Sequence, residues 1–248
     1  PLIGIIKTAS TLATMEGREE VFPYHVKEAI EEHCKTIEAQ VLGRFIEEQR
    51  QLKEVKNEGV ELGRVNALTV SEDPYSKERV GSVAVVKASM SKCIKGSKGG
   101  FTVTGLAGNI LKESSQKVRQ VILKRYRVDI SQDYITHIDF AQSYGVDGPS
   151  AGVTMAIAIA SLLEGKPVRQ DVAVTGEINI TEEDAIPITA VGGLYEKLKA
   201  AEKWGIKKAI IPLRNYEYSI STTDYKITIV GASYLEDYLE ECLVKGEP

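Results

Sequence analysis

The stretch Asp147-Gly148-Pro149-Ser150-Ala151-Gly152, running on into Val153-Thr154-Met155-Ala156-Ile157-Ala158-Ile159-Ala160-Ser161-Leu162-Leu163, decides how the rest of the chain is read. The apolar, alanine-rich run is too short to cross a bilayer and reads as a buried helix. Asp147 suits its N-cap, Pro149 its first turn and Gly165 the residue after its last. Ser150 is therefore expected in the first helical turn, where unpaired backbone N–H groups and the positive dipole end stabilise an oxyanion. Small residues at Gly148, Ala151 and Gly152 leave room for a second backbone to approach. A plain cap feeding a core helix explains the same hexapeptide without chemistry, so on these residues alone both readings stand.

Around this helix, strands alternate with helices. Downstream, Asp171–Thr175, Lys208–Ile211 and Ile227–Val230 read as strands, with helices over about Leu194–Trp204 and Tyr234–Leu243. Upstream, period-two patterns give strands at Val65–Val70, Gly81–Ala88, Phe101–Thr104 and Tyr134–Phe140, with an amphipathic helix over Ile110–Tyr126. The basic, glycine-rich segment Ser91–Gly100 does not fit GxxxxGK[ST] and is expected as a solvated hairpin loop. The order predicts an α/β (α+β) domain with a mixed sheet and packed helices over residues 59–248. Residues 1–58 carry only helical stripes: one from Leu2 to Met15, and a longer one from Pro23 to about Lys56 that needs partners for its apolar side.

Composition narrows the function. With 248 residues, 43% apolar and a net charge of −4, the chain has material for a core. It has no basic field of the kind that binds nucleic acid or an anionic membrane. Cys34, Cys93 and Cys242, and His25, His33 and His137, are dispersed in neither disulfide nor metal spacing, so no cofactor or metal is expected and a reduced, cytoplasmic setting fits. No signal peptide or membrane span is apparent. The chain opens on Pro1 and is expected to be part of something longer.

A nucleophilic serine needs a base. His137 is the one histidine of the α/β part, but its mid-strand position suits a structural or substrate-adjacent role better. A desolvated lysine, its pKa lowered, is the other option. Lys197 follows Gly192-Gly193 and precedes Ala200-Ala201, which allow close packing; spacing does little to separate it from Lys199 or Lys203.

Several motifs, in order, resemble the proteolytic domain of the Lon proteases. They are DGPSAG at Asp147–Gly152, Thr175-Gly176-Glu177, and Gly192-Gly193-Leu194-Tyr195-Glu196-Lys197. Gly63–Leu68, Thr104–Gly108 with Glu113-Ser114, and Ile210-Ile211-Pro212 extend the similarity over about residues 63–245. The resemblance implies a serine endopeptidase acting on unfolded or damaged proteins through a Ser–Lys dyad. Ser150 would be the nucleophile and Lys197 the base, with Thr175 holding the lysine and Asp147 engaging it; His137 and Glu113 would lie near the site. It also implies a homo-hexameric ring and an ATP- and Mg-using AAA+ module outside this chain, whose helical lid residues 1–56 resemble. The alternatives are a catalytically silent Lon-fold binding or regulatory module and a Ser–His hydrolase using His137. Residues 178–191 run about four residues longer than the family pattern, which a longer hairpin tip would absorb.

Overall fold

A computed structural model describes residues 2–32, 55–72, 79–94, 97–105, 108–140, 148–219 and 225–244. Asp147, and the continuation of the second helical pattern past residue 32, lie outside the described residues. The chain forms two compact units, Pro1–Glu54 and Val55–Pro248.

In the first unit, α1 (Leu2–Met15) and the helical residues 23–32 (α2) bury Ala9, Ala13 and Ala29. The turn between them closes on His25, which is fully buried. Its Nδ1 accepts the Phe22 N–H at 2.9 Å, so Nε2 carries the proton and donates to Glu16 at 3.0 Å.

The second unit is built on a seven-stranded sheet. Its strands are β2 (Arg64–Glu72), β3 (Arg79–Lys92), β4 (Gly100–Thr104), β5 (Tyr134–Phe140), β7 (Val172–Val174), β10 (Lys208–Pro212) and β11 (Thr228–Ala232). The spatial order is β11-β10-β7-β2-β3-β5-β4. The first four strands run parallel, β3 is antiparallel to both β2 and β5, and β4 is parallel to β5. The sheet is therefore mixed, as the alternation of elements implies. Two short pairs stand outside it: β1 (Val60–Glu61) with β6 (Val168–Arg169), and β8 (Glu177–Ile178) with β9 (Ile188–Thr189).

Strand alternation feeds two cores. Val65, Ala67, Val172, Val174 and Ile210 join the cluster that holds the buried residues of α3 (Asn109–Tyr126), α4 (Gly152–Glu164) and α7 (Leu235–Cys242). Leu68, Ala173, Ala209 and Ile211 join the second, with α5 (Leu194–Lys203). α4 is the central helix: every residue from Gly152 to Ser161 is buried. Burial of Met155, Ile157 and Ile159 contributes about 1.5–3 kcal/mol each. That supports the reading of the alanine-rich run as a core helix.

One expectation fails. Ser91–Gly100 does not join a hairpin, because β5 lies between β3 and β4. The crossover through α3 returns β5 antiparallel to β3 over seven residue pairs and buries Ile138 and Phe140. The short, glycine-led β4 is left at the edge, where its residues are only half-buried or exposed. Long register and central burial outweigh the chain's local preference to turn back on itself.

Candidate active site

Ser150 sits one step earlier than the first turn of an α-helix. Pro149–Ala151 form a single 3-10 turn, and α4 starts at Gly152. Proline explains the break: it fixes φ and removes a donor, which favours a tight turn ahead of the regular helix. The turn is pinned from the side by the segment after β7. The Gly176 N–H donates to the Ser150 carbonyl at 2.9 Å, and the Val153 N–H donates to the Gly176 carbonyl at 3.3 Å. Ser114 on α3 adds a hydroxyl contact to the Pro149 carbonyl at 3.4 Å.

Thr175, immediately before Gly176, is fully buried. Its N–H donates to the Ile210 carbonyl at 3.2 Å, and its carbonyl accepts the Tyr238 hydroxyl at 3.0 Å. Backbone bonds on both sides leave the Thr175 hydroxyl in a fixed position, where it accepts a hydrogen bond from Lys197 Nζ at 3.1 Å.

Lys197 is placed by α5. Leu194, Leu198 and Ala201 form the buried stripe of this helix, and Lys197 lies on it, only 1% exposed. The helix reaches the sheet so closely that a Cβ on Gly81 of β3 would stand 1.9 Å from the Glu196 carbonyl oxygen. Gly193 starts the helix at φ 66, with its α-carbon against Val70. Burial pushes the lysine pKa down from 10.5 to about 8, against an opposing pull from the Glu196 carboxylate. At pH 7 roughly a tenth of this amine is thus neutral, far more than for an ordinary lysine.

Ser150 and Lys197 line the same cleft of about 360 Å³, together with Val70, Arg79, Glu177 and Ala190–Gly193. Among the described residues, the hydrogen bond of Nζ goes to Thr175 and none joins it to Ser150 Oγ. Glu177, which lines the cleft and pairs with Lys117 at 2.8 Å, and Arg79 were not singled out from sequence. Glu177 carried a signal, since it completes the Thr175-Gly176-Glu177 motif; Arg79 carried none. Segment 178–191 folds as a hairpin, pairing Glu177 with Thr189 and Ile178 with Ile188, with residues 179–187 at its tip. Lys124 of α3 holds that tip through the carbonyls of Thr181 and Glu183.

The other site candidates lie elsewhere. Glu113 is exposed on α3 and is not in the cleft. His137 is exposed on β5 and is likewise outside the cleft. Its Nε2 meets Thr104 Oγ1 at 2.8 Å, while the Thr104 hydroxyl proton goes to Asp139 at 2.7 Å. Nε2 is therefore a donor here and not a free base. Lys199 pairs with Glu202 at 2.9 Å. Among the described residues no cluster of His, Cys, Asp or Glu is gathered for a metal ion, and no helix is long and apolar enough to cross a membrane.

An α/β domain with a serine and a buried lysine on one cleft also matches a known family in sequence. Residues 36–245 match the Lon protease (S16) C-terminal proteolytic domain, and the chain belongs to that family. The match begins upstream of residue 63, where the motifs start. Among its relatives are proteins described as archaeal Lon proteases. That of Pyrococcus abyssi is 34% identical over 247 residues, covering 98% of this chain and 24% of that protein. Those of Thermococcus kodakarensis (35%) and Methanothermobacter thermautotrophicus (36%) also align with 98% of this chain, and with 37% of each relative. The chain thus spans about a quarter to two fifths of the length of these relatives.

Proposed function

We propose that this chain is a serine endopeptidase domain in which Ser150 attacks the peptide bond and Lys197 is the base. The observation that carries the reading is the environment of Lys197: a buried amine with its pKa lowered to about 8, tethered to Thr175 and opening on the cleft that Ser150 lines. Thr175 accepts one N–H of the amine and so aims the nitrogen, leaving its lone pair for the serine proton.

Lys197 takes the Ser150 proton as Oγ attacks the carbonyl carbon, the two side chains closing to roughly 2.6–3.2 Å for the transfer. The oxyanion is met by backbone N–H groups of the turn that follow Pro149, which has none of its own. Collapse breaks the C–N bond, and the lysine ammonium returns its proton to the leaving amine. Lys197 then deprotonates a water that cleaves the acyl ester, releasing the carboxylate product and the free hydroxyl.

Protein is the substrate class that membership of the Lon proteolytic family supports, and we take an unfolded, extended segment as the form that enters the cleft. In the longer protein, this domain would be the proteolytic part of an ATP-driven homo-hexameric ring. The test is hydrolysis of casein by the chain, its Ser150→Ala variant and its Lys197→Ala variant. Loss of hydrolysis in both variants is expected; hydrolysis that survives Ser150→Ala overturns the assignment.

A further inference from the structure

Thr175 and Gly176 lie between β7 and β8, and the peptide that joins them belongs to neither strand. Both of its polar groups are nonetheless taken. The Gly176 N–H donates to the Ser150 carbonyl at 2.9 Å, and the Thr175 carbonyl accepts the Tyr238 hydroxyl at 3.0 Å. In a trans peptide these two groups point opposite ways. The unit is therefore clamped from both sides, by the turn that carries Ser150 and by α7. At its Thr175 end, the threonine side chain accepts Lys197 Nζ at 3.1 Å. One peptide plane thus ties the anchor of the base to the anchor of the nucleophile.

Left to itself, this plane would turn easily, because Gly176 has no Cβ to restrict it. Turning would break the bond to Ser150 and free the ψ angle of Thr175. That angle, together with the Thr175 N–H bond to Ile210 at 3.2 Å, sets where the threonine side chain points. Tyr238 supplies the restraint that a neighbouring strand supplies inside a sheet. It is fully buried on α7, and the start of that helix is fixed. The Leu235 N–H donates to the Ile186 carbonyl at 2.8 Å, and the Asp237 carboxylate accepts the N–H groups of Ser233 and Tyr234, each at 2.9 Å. Burial holds the phenol pKa well above its ordinary value, so the hydroxyl stays a donor at working pH. The contact also requires the glycine. A Cβ at position 176 would stand 2.5 Å from Ile188 Cγ2 and 3.2 Å from the Tyr238 oxygen.

We propose that Tyr238 is a positioning residue of this site: its hydroxyl holds the Thr175–Gly176 peptide as a strut that keeps Lys197 and Ser150 in one frame. The inference rests on the peptidase reading for the roles of those two residues. Tyr238 lies outside the residues that line the cleft, so its contribution falls on turnover and not on substrate binding.

The test separates the clamp from the chemistry. Tyr238→Phe deletes one oxygen and keeps the ring that packs in the core. Amide hydrogen exchange at Gly176 should speed up about tenfold, the worth of one hydrogen bond. That change is read against amides at the centre of β2 and β3, which report the stability of the whole unit. In casein-peptide hydrolysis by the same variant, kcat should fall about tenfold with KM within about twofold. 4-Fluorophenylalanine at position 238 fills the space of the hydroxyl without donating and should behave as Phe does. 4-Aminophenylalanine donates an N–H and should recover most of the rate. Combined with Thr175→Val, Tyr238→Phe should cost well under the product of the two separate losses, because both act through one residue.

The proposal is overturned if Gly176 exchange rises no more than that of the sheet amides, if kcat holds, or if the loss falls on KM. It is equally overturned if the fluoro and amino side chains restore the rate alike, or if the double variant loses the full product. Should Tyr238→Phe fail to fold, the fluoro and amino pair decides. Hydrolysis that survives Ser150→Ala while Tyr238→Phe still speeds Gly176 exchange removes only the peptidase reading. Hydrolysis lost in Ser150→Ala but unmoved by Tyr238→Phe removes only the positioning role.

Discussion

Two places in the α/β unit pair a threonine hydroxyl with a basic side chain, and they differ in one respect that matters. At Thr175–Lys197 both partners are buried, and the amine is driven towards its neutral form. At Thr104–His137 the ring is exposed, and the threonine proton is committed to Asp139, which fixes the imidazole nitrogen as a donor. Imidazole is intrinsically the better base at neutral pH. Desolvation narrows that gap, because removing water from an ammonium lowers its pKa, and at Lys197 the amine also faces the cleft that Ser150 lines.

The largest effect that can break this comparison is on rate. Lys197→Ala should lower casein hydrolysis by about a thousandfold or more, as loss of a base and its nucleophile's activation does. His137→Gln should leave the rate within about threefold, since the ring does not line the cleft and its Nε2 is committed to Thr104. The reverse pattern, in a steady-state peptidase assay, would move the active site to the β4–β5 face.

The pH profile comes next. A base with a pKa of about 8 must be unprotonated to act, so kcat/KM should climb with pH and level off above about 8. At pH 6 the rate would be about a hundredfold below the plateau. A midpoint near 6.5, the ordinary histidine value, would point to imidazole and against the buried amine.

A smaller change tests the hydroxyls themselves. Thr175→Val removes the acceptor for Lys197 Nζ without touching the backbone bonds to Ile210 and Tyr238. It should cost about tenfold in kcat, the worth of one buried hydrogen bond. Thr104→Val removes the corresponding contact to His137 and should be silent in the same assay.

How much of the fold and site was legible in the sequence depends on the range of the forces involved. α4, α5 and β5 could be read because their burial patterns are local and strong. Lys197 could have been separated from its neighbours by one further local signal: it shares the helical stripe of Leu194, Leu198 and Ala201, from which Lys199 and Lys203 are displaced. The insertion of β5 between β3 and β4 could not be read, since strand order depends on pairing between segments about fifty residues apart in the chain, which residue pattern does not encode. Tyr238 was equally hidden. A tyrosine on the buried stripe of a helix reads as core, and the partner of its hydroxyl, Thr175, lies 63 residues upstream. Glu113 was brought near the site by resemblance alone and His137 partly by being the one histidine of the α/β part, and neither residue lines the cleft.

The subtlest effect is thermodynamic and runs against intuition. A lysine that folding buries should weaken the fold, and removing it should help. In the unfolded chain Lys197 titrates near 10.5, and in the folded chain at about 8. Below pH 8 both states are protonated and the folded state carries the whole cost of burying an ammonium. Between 8 and 10.5 the unfolded state holds more protons, so the stability of the native protein rises with pH through that window. Lys197→Met fills the same space without charge but forfeits the bond to Thr175, so at pH 7 it should be more stable by about 1 kcal/mol. That advantage should shrink as denaturation is followed from pH 8 towards 10.5. The matching change at the exposed site, His137→Gln, should leave stability within about 0.5 kcal/mol. If Lys197→Met instead destabilises the protein at pH 7, the amine sits in a wetter place than its 1% exposure implies, and its fitness as a base is lost with it.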